Sequence, residues 1–209
     1  MRAFQRRAPR TLALAGAVTA AALLLAACGG TDDDPMAGMD HGGSSASASA
    51  APSAPDASAG SFNDADVMFA QMMIPHHQQA LEMAKLADGR AEDAGIKEIV
   101  AAVEKAQDPE IRKMKEWLKG WNKPESAGMG HSMAGMMSEQ DMKDLAAVKG
   151  KDFDRKFAEL MIAHHEGAVE MAKQEQKDGA NAEAKALAGE VVRTQDAEIA
   201  ELRKILDRL

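Results

Sequence analysis

Two pairs of adjacent histidines carry the sequence's most distinctive chemistry. His76-His77 sits in MMIPHHQQALEMAK (residues 72–85), and His164-His165 in LMIAHHEGAVEMAK (residues 160–173). On a helix, residues three and four apart share a face. Met73 stands three before His76 and four before His77, and Met161 stands the same way before His164 and His165. Met83 and Met171 follow six or seven residues later, within reach of a neighbouring helix. Imidazole with thioether is a soft donor set that suits copper, above all Cu(I). Neither donor has to lose a proton at neutral pH when the imidazole is neutral, whereas a cysteine does. Copper, with Cu(I) preferred and Cu(II) also accommodated, is therefore the expected ion.

Further groups are spaced to join these ligands. Asp66 and Asp154 lie seven residues before Met73 and Met161, on the same helical face two turns up. Gln107, Glu110 and Met114 form a second row at i, i+3, i+7, repeated as Gln195, Glu198 and Leu202. Facing rows of this kind would present imidazole, thioether and carboxylate to one space. Two more clusters lie outside them: Met36, Met39 and His41, and then Met129, His131, Met133, Met136 and Met137. Both have a copper-scavenging composition.

Familiar alternatives fit poorly. Di-iron bundles use Glu-x-x-His on core helices; here the same spacing reads Met-x-x-His. The zinc-protease pattern His-Glu-x-x-His fails because Gly167, Ala168 and Val169 follow His165-Glu166. Cys28 is the only cysteine, so a structural zinc site of the usual thiolate kind is excluded. Any one of these methionines alone reads as core filler, and a lone histidine on an apolar face as a satisfied core residue. Four histidines in two matching contexts are different, because desolvating that much imidazole without a partner is costly.

The elements that must position these residues come from a duplication. His76 and His164 differ by 88 positions, and that offset holds without a gap to the C-terminus. It relates residues 64–121 to residues 152–209, matching Asp66 to Asp154, Glu82 to Glu170, Gln107 to Gln195 and Glu110 to Glu198. Aromatic residues make up 3% of the chain, and helix formers dominate outside the linkers. The apolar period predicts helices over 64–87 and 94–118 in the first unit, and over 152–177 and 181–208 in the second. Two helical hairpins imply an all-α, antiparallel four-helix bundle with pseudo-two-fold symmetry. Pro75 removes a backbone donor and is expected to bend the first helix; the second unit has Ala163 there. The Met/His-rich connector, residues 122–151, contains a short helical piece with Ser138 as N-cap and Gly150 as its end.

The N-terminus reads as a targeting segment. Residues 1–10 carry Arg2, Arg6, Arg7 and Arg10 and no acid, and an apolar run follows. It ends in Leu25-Ala26-Ala27-Cys28, which resembles the lipobox of bacterial lipoproteins, so Cys28 is the expected site of lipidation. The rival reading is an uncut membrane-spanning helix. Residues 1–27 are thus expected as a signal peptide, 28–61 as a disordered tether and 62–209 as the folded domain. Removing residues 1–27 takes four arginines and no acid from the formal charge of −8, leaving −12. A chain so acidic has no evident nucleic-acid face.

The succession MMIPHHQQALEMAK, QDPEI, GMMSEQDM, FAELMIAHHEGAVEMAK and QDAEI resembles the bacterial domain-of-unknown-function family 305 over about residues 62–209. That resemblance implies a ferritin-like four-helix fold. Some of the family's members resemble periplasmic copper-binding proteins linked to copper resistance. It places the family's motif on Met73, His76, His77, Met83, Met161, His164, His165 and Met171. Leu202, where the first unit has Met114, implies unequal sites. The expected function is a membrane-anchored extracytoplasmic copper buffer or chaperone rather than an enzyme, with a copper-exporting or copper-accepting protein as its partner. A ferritin-like metal-dependent oxidase and a metal-free helical interaction module are the alternatives.

Overall fold

Side-chain caps set where the helices begin. The structure, a computed structural model, describes residues 60–126 and 133–209. The expected signal peptide, Cys28, the tether up to residue 59, Met36, Met39, His41, Met129 and His131 lie outside the described residues. Asn63 accepts from the N–H groups of Ala65 and Asp66, and Asp66 returns a bond to the Asn63 N–H, so α1 (Asp64–Leu86) starts with a reciprocal cap. Asp93 caps α2 (Ala94–Gly120), and Asn181 caps α5 (Ala182–Arg208), in each case through two backbone N–H groups. Ser138 and Asp141 build a second reciprocal cap at the start of α3 (Glu139–Ala147). The fourth long helix, α4 (Gly150–Asp178), has no side-chain cap. Gly150 was expected to end the short helix. It instead opens α4 with φ of 63°, and its N–H donates to the Arg90 carbonyl at 2.8 Å. Both Pro75 and Pro109 lie within helices that run through them.

The all-α expectation holds: the described residues form five helices and no strand. Four long helices pack as α1 on α2, α4 on α5, α1 on α4 and α2 on α5, while α3 lies against α1 and α4. Neighbours run antiparallel across the two hairpins. Asn63, before α1, donates to the carbonyl of Asp178 at the end of α4. Arg208, at the end of α5, pairs with Asp93 before α2.

The duplication is written into the hydrogen bonds. Asp66 of the first unit accepts from the N–H groups of Ala180 and Asn181 in the second hairpin's turn. Asp154 of the second unit accepts from Glu92 and Asp93 in the first hairpin's turn. The offset of 88 maps one set onto the other. Each hairpin therefore caps the other, through charge-assisted bonds that are stronger than neutral ones. This corrects the expectation that Asp66 and Asp154 face the histidines. Ten residues separate each from its first histidine, about 15 Å along a helix, and both carboxylates are spent on backbone N–H groups at the bundle ends.

The interior is divided. One apolar cluster gathers Met83, Ile96, Phe153, Phe157, Met161 and Leu202; the other gathers Phe69, Met73, Met114, Leu118, Ala168 and Val191. Each draws on both units. No helix among the described residues is long and apolar enough to cross a membrane.

Candidate metal centre

Helical periodicity carries the four histidines into the bundle, and all four side chains are fully buried. His76 of α1 and His164 of α4 meet across the pseudo-two-fold, with ring centroids 3.8 Å apart and planes tilted by 40°. Their neighbours turn toward the other helix of their own hairpin. The Nε2 of His77 lies 2.7 Å from a carboxylate oxygen of Glu110, and the Nε2 of His165 lies 2.7 Å from one of Glu198. The expected facing rows are thus partly realised: α2 and α5 each deliver a carboxylate to one imidazole.

These contacts decide which nitrogen is free. A carboxylate only accepts, so Nε2 of His77 and of His165 is the donor, and in the neutral ring Nδ1 keeps its lone pair. His76 is set likewise by a backbone carbonyl: its Nε2 donates to the oxygen of Ala134 at 3.2 Å. His164 has no hydrogen-bond partner on either nitrogen. Five buried imidazole nitrogens are left without a partner in the protein, namely Nδ1 of all four rings and Nε2 of His164. The oxygens Oε1 of Gln107 and Gln195 are also buried and unpartnered.

The surroundings keep the central pair neutral. Burial, and then the neighbouring His77, lower the His76 imidazole to about 3, against a small opposing effect of the Ala134 carbonyl. Burial followed by His76 and His165 pulls His164 well below its ordinary value. A neutral imidazole with a bare nitrogen is the form that ligates metals. A carboxylate on the other nitrogen, as in His77–Glu110 and His165–Glu198, orients the ring and raises its basicity toward a metal.

The profile of the domain-of-unknown-function family DUF305 matches residues 66–206. The chain belongs to this family. Solved DUF305 structures resemble it along nearly their whole length. A protein from Streptomyces coelicolor, regarded as secreted, is 31% identical, covering 69% of this chain and 93% of its own, with a TM-score of 0.65. A fragment from Deinococcus radiodurans is 32% identical, covering 70% and 98%, with a TM-score of 0.64. CopM, solved in Cu(I)-bound and Cu(II)-bound forms, is 32% identical over 68% of this chain and 96% of its own, with TM-scores of 0.61 and 0.60. No curated protein matches the chain significantly.

In this DUF305 chain the methionines fall on both sides of the histidines. Met73, Met83, Met114 and Met161 are fully buried, and Met171 is half-buried. Met83 and Met161 belong to one apolar cluster and Met73 and Met114 to the other, with Met171 packed at its edge. Leu202 takes the place of Met114 in the opposite cluster. Met133, Met136 and Met137 are half-buried in the segment before α3. A group of three or more His, Cys, Asp or Glu side chains able to hold an ion is absent among the described residues.

Sequence reading missed three contributors. Ala134 supplies the carbonyl on His76, Gln79 clasps the backbone of Met137, and Gly167 packs against Ala134 and Gly135. A signal was present: the two histidine stretches match closely, yet Gln79 is replaced by Gly167 two residues beyond the second histidine. Glu175, half a bundle away, was also missed. It is buried, with both carboxyl oxygens unpartnered, and the first unit has Ala87 in its place.

Proposed function

We propose that this DUF305 protein binds copper through its central histidines, with Cu(I) preferred, and acts as an extracytoplasmic copper buffer. The observation that carries this reading is the set of five partnerless imidazole nitrogens, fully buried between methionine-bearing clusters. Such atoms are destabilising unless a ligand takes them. Copper is supported over harder ions by the thioethers, and by the copper bound in CopM. His76, His77, His164 and His165 would supply nitrogen, and Met73, Met83, Met161 and Met171 sulfur. Glu110 and Glu198 would orient His77 and His165 rather than ligate. The half-buried methionines before α3 would add capacity.

A lipid on Cys28 would tether the domain through residues 28–61, and a copper-exporting or copper-accepting protein would be its partner. The Leu25-Ala26-Ala27-Cys28 run and the secretion attributed to the Streptomyces coelicolor relative support this placement. Cys28→Ser should then release the protein from the membrane fraction; a variant that stays membrane-bound and unprocessed would count against the lipid. A ferritin-like oxidase is the weaker reading, since Glu110 and Glu198 each bond a single imidazole.

The deciding experiment is metal analysis of protein expressed with excess copper, followed by Cu(I) and Cu(II) titrations. The wild type should retain copper, and replacement of all four histidines by Ala should abolish tight Cu(I) binding while leaving the helices intact. Replacing Met73 and Met161 by Leu should weaken Cu(I) more than Cu(II). Tighter binding of zinc than of Cu(I), or full copper affinity in the quadruple variant, would end this account.

A further inference from the structure

The His76–His164 pair owes its closure on one side to a strap. Residues 133–137 cross α1 and α4 at the level of the pair, held by three attachments. The Ala134 carbonyl accepts from His76. The Gln79 side chain clasps the backbone of Met137 from both directions, donating to its carbonyl at 3.0 Å and accepting from its N–H at 2.7 Å. On α4 the strap enters a slot left by Gly167: a methyl group added there would come within 2.5 Å of the Ala134 carbonyl carbon and 2.8 Å of the Gly135 Cα. Gly135 itself adopts φ of 79°, and a side chain on it would meet the carbonyl oxygens of Ala163 and His164 at 2.8 and 2.9 Å.

The attachments break the pseudo-symmetry at one place. Gln79 and Gly167 are the same position in the two units. One supplies the clasp, and the other removes a side chain so that the backbone can approach. As a result His76 carries a fixed Nε2–H while His164 is bonded on neither nitrogen. The strap also bears Met133, Met136 and Met137, so the segment covering the pair has soft donors of its own.

We propose that Gln79 and Gly167 are positioning residues that seat the strap on the histidine pair, and that release of the strap is the step that admits and discharges a metal ion. The gating half rests on the copper reading above; the positioning half stands on the geometry alone. The strap fixes the His76 tautomer and limits the rate of exchange. Its methionines, carried along as it lifts, offer the ion a first soft contact.

The test uses the full chain and two variants, Gln79→Ala and Gly167→Ala, each checked for unchanged helicity. In metal-free protein, hydrogen exchange at the Met137 amide should speed up at least tenfold in both. Imidazole nitrogen NMR should show His76 as a single Nε2–H tautomer in the wild type and as a tautomer mixture in the variants. Loss of Cu(I) to a competing chelator should be about tenfold faster in both. Should Gly167→Ala keep the Met137 protection and the His76 tautomer, the strap is not seated through this slot and the proposal fails. Should the strap loosen while Cu(I) exchange stays at the wild-type rate, the gate is refuted and copper binding stands. Should no form of the protein bind Cu(I), the copper reading and the gate fall together, whereas the tautomer result still judges the positioning roles.

Discussion

His164→Leu should make the metal-free protein more stable. The imidazole is fully buried, and neither ring nitrogen has a partner. Leaving a buried polar group unsatisfied costs roughly 1–3 kcal/mol, and His164 has two such atoms. Leucine has a similar volume, and swaps that conserve volume usually cost less than about 1.5 kcal/mol. The net gain is on the order of 2 kcal/mol. In a domain of this size each kcal/mol moves Tm by about 2–4 °C, so metal-free His164→Leu should melt roughly 4–8 °C above the wild type. The assay is thermal unfolding by circular dichroism at pH 7 with a chelator, repeated with Cu(I) in excess. An ion at a hundred times its Kd would stabilise the wild type by about 2.7 kcal/mol, so with copper the ranking should reverse. His77→Leu is the contrast. It removes one unpartnered nitrogen, Nδ1, but also takes the Nε2 partner at 2.7 Å from the Glu110 carboxylate, so the two effects oppose each other and it should raise the metal-free Tm less than His164→Leu does. A metal-free His164→Leu less stable than the wild type would refute the reasoning, because the imidazole would then be contributing favourably to the core.

Acid should weaken the fold through the same pair. With His76 at about 3 in the folded protein and 6.5 as its ordinary value, the unfolded chain binds the extra proton between these limits. Stability should therefore fall as pH drops below about 6.5, by about 2 kcal/mol at pH 5 from this group, and His76→Leu should flatten that slope in urea titrations. Glu175 acts in the other direction. Burial, and then the Asp66 carboxylate beside it, push it up to about 8 from 4.5, so the unfolded chain holds fewer protons in that range and stability should decline as pH rises through it. Glu175→Gln should be more stable than the wild type at pH 8 by roughly 1–3 kcal/mol and nearly equal to it at pH 4, as denaturant midpoints would show. Asp66→Ala and Asp154→Ala each remove a carboxylate from backbone N–H groups of the opposite hairpin, and each should cost roughly 2–4 kcal/mol, since charge-assisted bonds contribute about 1.5–3 kcal/mol each. Equal melting temperatures for these variants and the wild type would show that the hairpins do not depend on each other's caps.

The fold was legible because a duplication exposes itself at one fixed offset, and because Ser138 is a residue that starts helices; the caps at Asn63, Asp93 and Asn181 emerge only in the structure. The pairing of His77 with Glu110 and of His165 with Glu198 was partly legible too, since facing rows on adjacent helices follow from the 3.6-residue period. Asp66 and Asp154 were misread for the same reason. A shared helical face says nothing of distance along the helix, and about 15 Å took both to the bundle ends. Gly150 was misread because a glycine marks a helix start as readily as an end when a positive φ is needed. The strap contacts could not be read from the local pattern. They are bonds from side chains to backbone atoms 58 residues away, and the backbone atoms leave no mark on residue type except where a side chain must be missing, as at Gly167.

That missing side chain shows why the duplicated unit gives an asymmetric site. Two identical hairpins related by a two-fold would present two equivalent histidines at the crossing of α1 and α4. A single chain must join its hairpins, and among the described residues the connector gives the pair one bonded carbonyl, that of Ala134, which His76 takes. Gln79 bonds the Met137 backbone from α1, and Gly167 leaves α4 clear of a side chain beside Ala134. His76 is thereby satisfied on one nitrogen, and the unmet demand for a partner is concentrated on His164. The asymmetry follows from connectivity, and it leaves His164 as the one of the four rings with neither nitrogen bonded.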